Sequence, residues 1–137
     1  MHRKIAFVMK KIILFVLTTL VFGACQESME ERCEREAKEF SKKNCPAMIA
    51  PEIMMDSMTF ERDTHTLHYY YKLTGNSDRA DAYNVEDATK MLRDGLKNAT
   101  AMKTYKDLGY NFLYEYRSEK DPKIVWFSVL LTEKDYQ

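Results

Sequence analysis

The residues best equipped for chemistry in this 137-residue chain are two histidines, one acid, a methionine run and nine tyrosines. His65 and His68 stand three apart. On a helix that spacing would put both imidazoles on one face, where they could chelate zinc. On a strand it sends them to opposite faces, and the surrounding residues read as strand. Solvated side chains are therefore expected, with no metal site and no other cofactor. Met48, Met54, Met55 and Met58 offer soft thioethers of the kind that hold copper(I). Met55, however, alternates away from Met54 and Met58, and methionine is an adaptable core filler. Asp56 keeps phase with Met58 and Phe60, which places a carboxylate on the face expected to be buried. It could act as a general acid there, or simply accept bonds from nearby backbone N–H groups. No convergent partner is nominated. Nucleophile signatures are missing: there is no Gly-x-Ser-x-Gly turn, and Gly75, Gly95 and Gly109 are too dispersed for a phosphate loop. No catalytic residue is assigned, and the chain is read as non-enzymatic.

The tyrosines are the remaining candidates. Tyr69, Tyr71, Tyr110, Tyr114 and Tyr116, with Phe112 and Trp126, can supply one face of a sheet. His68, Tyr70 and Lys72 alternate onto the opposite face. Aromatic and cationic side chains on a solvent face can form a recognition surface for a protein partner, although cross-strand aromatic pairs also stabilise sheets. His68, Tyr70 and Lys72 are therefore the candidate binding residues.

These side chains need elements to position them. Ser28-Met29-Glu30-Glu31 fits a capping box, and Met29, Cys33, Ala37 and Phe40 then make a narrow helical stripe, stopped by Asn44 and Pro46. Two strand-like runs follow, Met54–Glu61 and His65–Thr74, joined by a hairpin loop at Arg62-Asp63-Thr64. The polar segment Gly75–Tyr83 leads to a second helix with Asn84 as N-cap. Ala88, Met91, Leu92, Ala99 and Met102 lie on or near its apolar face, and Gly109 closes a short turn after it. Tyr110, Phe112, Tyr114 and Tyr116 then alternate with Asn111, Leu113, Glu115 and Arg117, and Asp121-Pro122 turns the chain into Lys123–Thr132. The order is αββαββ. The expected class is α+β, a four-stranded antiparallel sheet with two helices packed on one face. Cys33 and Cys45 are expected to stay unpaired. Twelve residues of helical rise separate them by about 18 Å, whereas a disulfide needs Cα atoms within roughly 7 Å. An intermolecular bridge through Cys45 is the alternative.

The N-terminal residues bear on location. From Met9, the alternative start, two lysines precede eleven residues, Ile12 to Phe22, without a charge, and then Gly23-Ala24-Cys25. A basic stretch, a short apolar run and small residues describe a secretory signal over 1–24, leaving 25–137 as a single domain. Eleven helical residues rise only about 16 Å, half of a ~30 Å hydrocarbon core, so a membrane-spanning anchor is not expected. Residues 1–24 carry four basic residues and no acid, so the remaining 113 have 17 basic and 21 acidic residues. That balance excludes nucleic acid, which needs a basic stripe to replace phosphate counterions. Gly23-Ala24-Cys25 resembles the lipobox of bacterial lipoproteins, with Phe22 standing where that pattern usually has an aliphatic residue. The resemblance implies cleavage before Cys25 and attachment of lipid to its sulfur. Cleavage after Gly23 or Ala24, releasing a secreted protein, is the rival reading.

The segments "MDSMTFERDTHTLHYYYKL" and "MKTYKDLGYNFLYEY" resemble a family of small exported bacterial proteins and lipoproteins of unknown function. The resemblance implies a compartment and domain limits, and it brings no activity. The expectation is a lipoprotein of the outer membrane or cell surface of a Gram-negative bacterium, tethered to membrane lipid through Cys25 and serving as a non-catalytic binding or assembly module. A secreted inhibitor or small-ligand-binding domain, with Gly75–Tyr83 as its contact loop, is the alternative.

Overall fold

The computed structural model describes residues 26–137. Cys25, the segment 1–24 and the alternative start at Met9 lie outside the described residues.

Helix α1 spans Met29–Asn44. Its capping box closes as the spacing predicts: Ser28 Oγ accepts the Glu31 N–H and the Glu31 carboxylate accepts the Ser28 N–H, each at 3.1 Å. Glu30 and Glu31 in the first turn and Lys42 and Lys43 in the last suit the helix dipole. Cys33 and Ala37 are buried, Met29 is half-buried, and Phe40 at the end of the stripe is exposed. Both thiols are free.

The sheet has five strands whose spatial order follows the chain: β1 Ala47–Ala50, β2 Ile53–Glu61, β3 Thr66–Leu73, β4 Asn111–Ser118 and β5 Val125–Leu131. Two expectations need correction. The sheet has five strands, not four, because the short strand β1 between Pro46 and Pro51 carries too few residues to show alternation. Nor is it wholly antiparallel: β3 and β4 run parallel, while the other three pairings are antiparallel. A hairpin reverses the chain, but a helical crossover returns it to the end where the previous strand began. Here the crossover carries α2 (Val85–Asn98), a 3₁₀ turn and α3 (Lys103–Asp107). A fourth helix, α4 (Glu133–Tyr136), was not anticipated. Its Tyr136 hydroxyl donates to the Tyr110 carbonyl at 2.6 Å. The class remains α+β.

Asn84 caps α2, its Oδ1 accepting the N–H groups of Glu86 and Asp87 at 2.9 and 3.1 Å. Leu96 is buried and Leu92 half-buried against the core, whereas Met91, expected beside them, is exposed. The helices bring Cys33, Ala37 and Leu96 to the core, and the sheet brings Phe60, Leu67, Tyr71, Phe112, Tyr114, Tyr116, Val129 and Leu131. On this face Tyr69 stacks on Tyr114 at 5.0 Å, Tyr71 on Tyr116 at 4.8 Å and Tyr116 on Phe127 at 4.4 Å between ring centroids. Burial raises the pKa of all four tyrosines, that of Tyr116 to about 12, so they stay neutral hydroxyls at physiological pH.

Two irregularities in the ladder re-aim side chains. In β2, Met55 faces Tyr71 and Ser57 faces Tyr70, so Asp56 is the extra residue of a bulge. Met55 is therefore buried on the same side as Phe60, and Asp56 leaves the buried face to which strict alternation assigns it. In β5, Phe127 faces Tyr116 and Val125 faces Arg117, which makes Trp126 the extra residue.

The long crossover is stitched to the sheet by Asp78. Its Oδ1 accepts the Trp126 indole N–H at 2.8 Å, and its Oδ2 accepts the Ser118 hydroxyl at 2.9 Å and the Lys120 N–H at 3.2 Å. Nearby, Gly75 adopts φ +56° against the Glu52 carboxylate, where a Cβ would stand 2.5 Å from Oε1. That oxygen accepts the Asn76 N–H, and its twin accepts the Ser77 hydroxyl.

Replacing Asp78 by Ala leaves the buried Ser118 hydroxyl and the Trp126 N–H without their acceptor. The expected loss is about 2–4 kcal/mol at neutral pH, read from urea unfolding. Burial alone would raise the Asp78 pKa, but the bonds from Ser118, Trp126 and the Lys120 N–H outweigh it and hold the carboxyl low. A depressed folded pKa contributes stability above the unfolded value and loses it as pH falls through the folded one. The difference between wild type and Asp78→Ala should therefore shrink on acidification.

Candidate functional site

The face of the sheet opposite the core is built by the alternation of β3 and β4. Their register sets His68 beside Leu113, Tyr70 beside Glu115 and Lys72 beside Arg117. The candidates His68, Tyr70 and Lys72 thus share one face, as their spacing predicts, and β4 adds an acid and a guanidinium between them.

Only the outer members of this cluster meet solvent. His68 is 6 % exposed although it lies on the uncovered face. The Tyr70 ring stacks on its imidazole with centroids 3.9 Å apart, and the Arg117 guanidinium sits over the same tyrosine ring at 5.4 Å. Arg117 in turn pairs with Glu115. His68 Nδ1 lies 3.1 Å from Glu61 Oε1. Its Nε2 lies 3.5 Å from Glu115 Oε2 but makes no hydrogen bond, the one such buried side-chain nitrogen or oxygen among the described residues.

Asp56, re-aimed by the bulge, meets Lys72 Nζ at 2.6 Å. With Ser57, Thr59, Tyr70, Arg117 and Pro122 this pair lines a shallow open groove of about 330 Å³. Asp56 is therefore half of an ion pair on the uncovered side and not a buried acid. The arrangement offers an aromatic plate with paired charges around it, a surface suited to holding a ligand by stacking and exchangeable salt bridges.

His65 stands apart from His68. It lies in the hairpin turn at φ 49°, stacks on Tyr110 at 5.1 Å and places Nε2 3.3 Å from Glu30 Oε1. Among the described residues no group of three His, Cys, Asp or Glu side chains could hold a metal ion. Met48 is exposed on β1, while Met55 is buried, so the methionines do not converge. Burial pushes the Cys33 thiol up, and it pushes Cys45 up with help from the nearby Asp56 charge. The segment Gly75–Tyr83 is fastened by Glu52, by Asp78 and by the Tyr83 hydroxyl, which donates to Ser77 Oγ at 3.3 Å.

Glu61, Glu115 and Arg117 were not singled out as site residues. Glu115 and Arg117 were legible as the polar phase of the β4 alternation. Their meeting with Tyr70 depends on β4 lying beside β3, which local pattern does not reveal.

The sequence profile of a family described as a domain of unknown function, DUF8479, matches residues 28–127, and the chain belongs to that family. No curated protein matches the sequence. In three dimensions the chain is similar to a candidate secreted protein of Pseudomonas aeruginosa, at 17 % identity and a TM-score of 0.68, over 79 % of this chain and 92 % of that one. It is similar to the type II secretion system pilotin AspS of Vibrio cholerae at 14 % identity and 0.57, over 77 % and 90 % of the two chains. A third likeness is EpsS, the pilotin of the Vibrio vulnificus type 2 secretion system, at 11 % identity and 0.62, over 79 % and 91 %. At these identities the likeness is one of fold. No helix among the described residues is long and apolar enough to cross a membrane.

The stacking makes a direct prediction. Diethylpyrocarbonate should modify exposed His65 readily and His68 slowly in the folded protein. Tyr70→Ala should open His68 to the reagent without unfolding the chain, since Tyr70 lies outside the core. Equal reactivity of the two histidines in the wild type would contradict the packing described.

Proposed function

We propose that this member of the family is an exported lipoprotein that binds a protein partner and assists its assembly without catalysis, held at a membrane through an acylated Cys25. The observation that carries the reading is a fold shared, over about four-fifths of the chain, with two pilotins of a type II secretion system. The lipobox-like Gly23-Ala24-Cys25 supports the anchor, and a signal segment over 1–24 supports export. The outer membrane or cell surface of a Gram-negative bacterium is the proposed location.

On this reading the uncovered sheet face meets the partner. Tyr70 is held flat between His68 and Arg117, so little side-chain entropy is lost when it is covered. The Lys72–Asp56 and Arg117–Glu115 pairs can exchange carboxylates with a partner. Nucleic acid is not a proposed ligand. The rival reading, a secreted inhibitor or small-ligand binder, needs a free contact loop, and Gly75–Tyr83 is fastened to the body of the domain through Asn76, Ser77 and Asp78.

Two measurements test the proposal. Metabolic labelling with a palmitate analogue should mark the wild type and not Cys25→Ala, which should also leave the membrane fraction. Label retained by Cys25→Ala, or none on the wild type, would remove the anchor. Pull-down from detergent-solubilised membranes should recover one reproducible partner, and the pair Tyr70→Ala and Arg117→Ala should weaken its recovery about tenfold or more, as loss of an interface hot spot does. Recovery of the chain alone at native abundance would count against the assembly role.

A further inference from the structure

The two ion pairs on the uncovered face are not equivalent. In the Lys72–Asp56 pair both side chains reach solvent. In the other, the Arg117 side chain is 37 % exposed and that of Glu115 only 14 %, so the guanidinium is the more open partner. Glu115 divides its two oxygens. Oε1 accepts from Arg117 Nε, while Oε2 faces His68 Nε2 at 3.5 Å without a hydrogen bond. The other imidazole nitrogen meets Glu61. A carboxylate only accepts, and a neutral imidazole carries one proton. His68 can therefore donate to one of these acids and not to both, whichever nitrogen holds the proton. A second proton lets it donate to both, in charge-assisted bonds.

Each strand around the ring contributes a defined set of groups. β2 presents Glu61, with Thr59 opposite His68. β3 presents Tyr70, stacked on the imidazole, and beyond it Lys72, which Asp56 holds. β4 presents Glu115 and Arg117, with the apolar Leu113 opposite His68. β5 sets the uncharged Ser128 against Glu115. Among the described residues Glu115 thus has Arg117 and His68 as its ion-pair partners, and no third.

We infer that His68 is a proton-dependent second seat for Glu115, which releases Arg117 to a carboxylate of an acidic partner segment. With His68 neutral, drawing Arg117 away strands a mostly buried carboxylate without a cation, a strongly unfavourable change. When His68 takes up a proton from solvent, Glu115 passes from the guanidinium to the imidazolium and stays paired. Arg117, the more open of the two, then binds the incoming carboxylate. One proton is taken up, and no charge is left alone. The resident group is itself a carboxylate, so the planar guanidinium fork already suits its replacement. Tyr70 carries the imidazole on its ring and the guanidinium over it, so both cations stay in place while Glu115 turns. The inference rests on the uncovered face being the partner surface, and it adds the partner's chemistry and a control by pH. Binding and protonation are reciprocally linked: acid tightens the partner, and the partner holds the proton on His68.

The test uses the full chain in detergent micelles, with the His68 ring followed by NMR and assigned through His65→Gln. Arg117→Ala frees Glu115 and should move the midpoint of the His68 titration to higher pH, by about 0.5 or more. In a Glu115→Gln background the same substitution should leave the midpoint nearly unmoved, because the effect travels through that carboxylate. A shift of equal size in both backgrounds is a field effect of the lost cation and overturns the inference. The probe for the partner is the acetylated and amidated peptide Gly-Glu-Gly-Glu-Gly. Its affinity should rise about fivefold between about pH 7.5 and about pH 5.5, a range over which its own carboxylates stay ionised. The rise should persist in His65→Gln and vanish in His68→Gln. If His68→Gln does not fold, Glu115→Gln must abolish the rise in its place. Equal affinity at the two pH values overturns the inference, as does displacement of the peptide by inorganic phosphate at equal concentration. Failure of palmitate labelling or of the pull-down would remove the lipoprotein or assembly reading and leave the NMR cycle standing, so the two readings fail separately.

Discussion

The parallel register between β3 and β4 is the constraint on which the rest depends. It runs unbroken through eight residue pairs, from Thr66 opposite Asn111 to Leu73 opposite Ser118. Side chains alternate across a strand, so this one register builds both faces at once. On the core side it stacks Tyr69 on Tyr114 and Tyr71 on Tyr116. On the other side it brings Arg117 over Tyr70 and Glu115 to His68. A slip of one residue would send the tyrosines to solvent and the charges into the core, a change no local adjustment could offset. The tyrosine ladder and the binding candidates are two consequences of one pairing.

The flanking strands depart from perfect alternation where the site needs them to. The bulge at Asp56 turns a carboxylate from the core side toward Lys72 and lets Met55 take the buried position. The irregularity at Trp126 frees its indole N–H to reach Asp78, which joins the crossover to the β4–β5 hairpin. Bulges of this kind re-aim side chains without changing the fold.

Electrostatics on the uncovered face are matched pair by pair. Each cation there has a carboxylate within reach, Asp56 for Lys72 and Glu115 for Arg117, and His68 stands between Glu61 and the same Glu115. A partner that brings its own carboxylate can still replace a resident one at little cost, because exposed ion pairs are worth only about 0–1 kcal/mol.

What the sequence by itself determined was local. The capping box at Ser28, the Asn84 cap, the stop at Pro46 and the sorting of Tyr69, Tyr71, Tyr114 and Tyr116 from His68, Tyr70 and Lys72 follow from spacing and from side-chain chemistry near in the chain. Membership of the α+β class followed from the order of those elements. Only the tertiary structure decided that β3 and β4 are parallel, because strand direction depends on which way a 37-residue connection returns. It alone recruited β1, whose four residues form a strand only against β2. The same holds for the reversal of Asp56 and Met55: a bulge is paid for by the neighbouring strand and the helix that flank it, and leaves no mark in a two-residue period. Glu115 and Arg117 completed the site for a related reason, since alternation says which face a residue takes and cannot say which strand stands next to it.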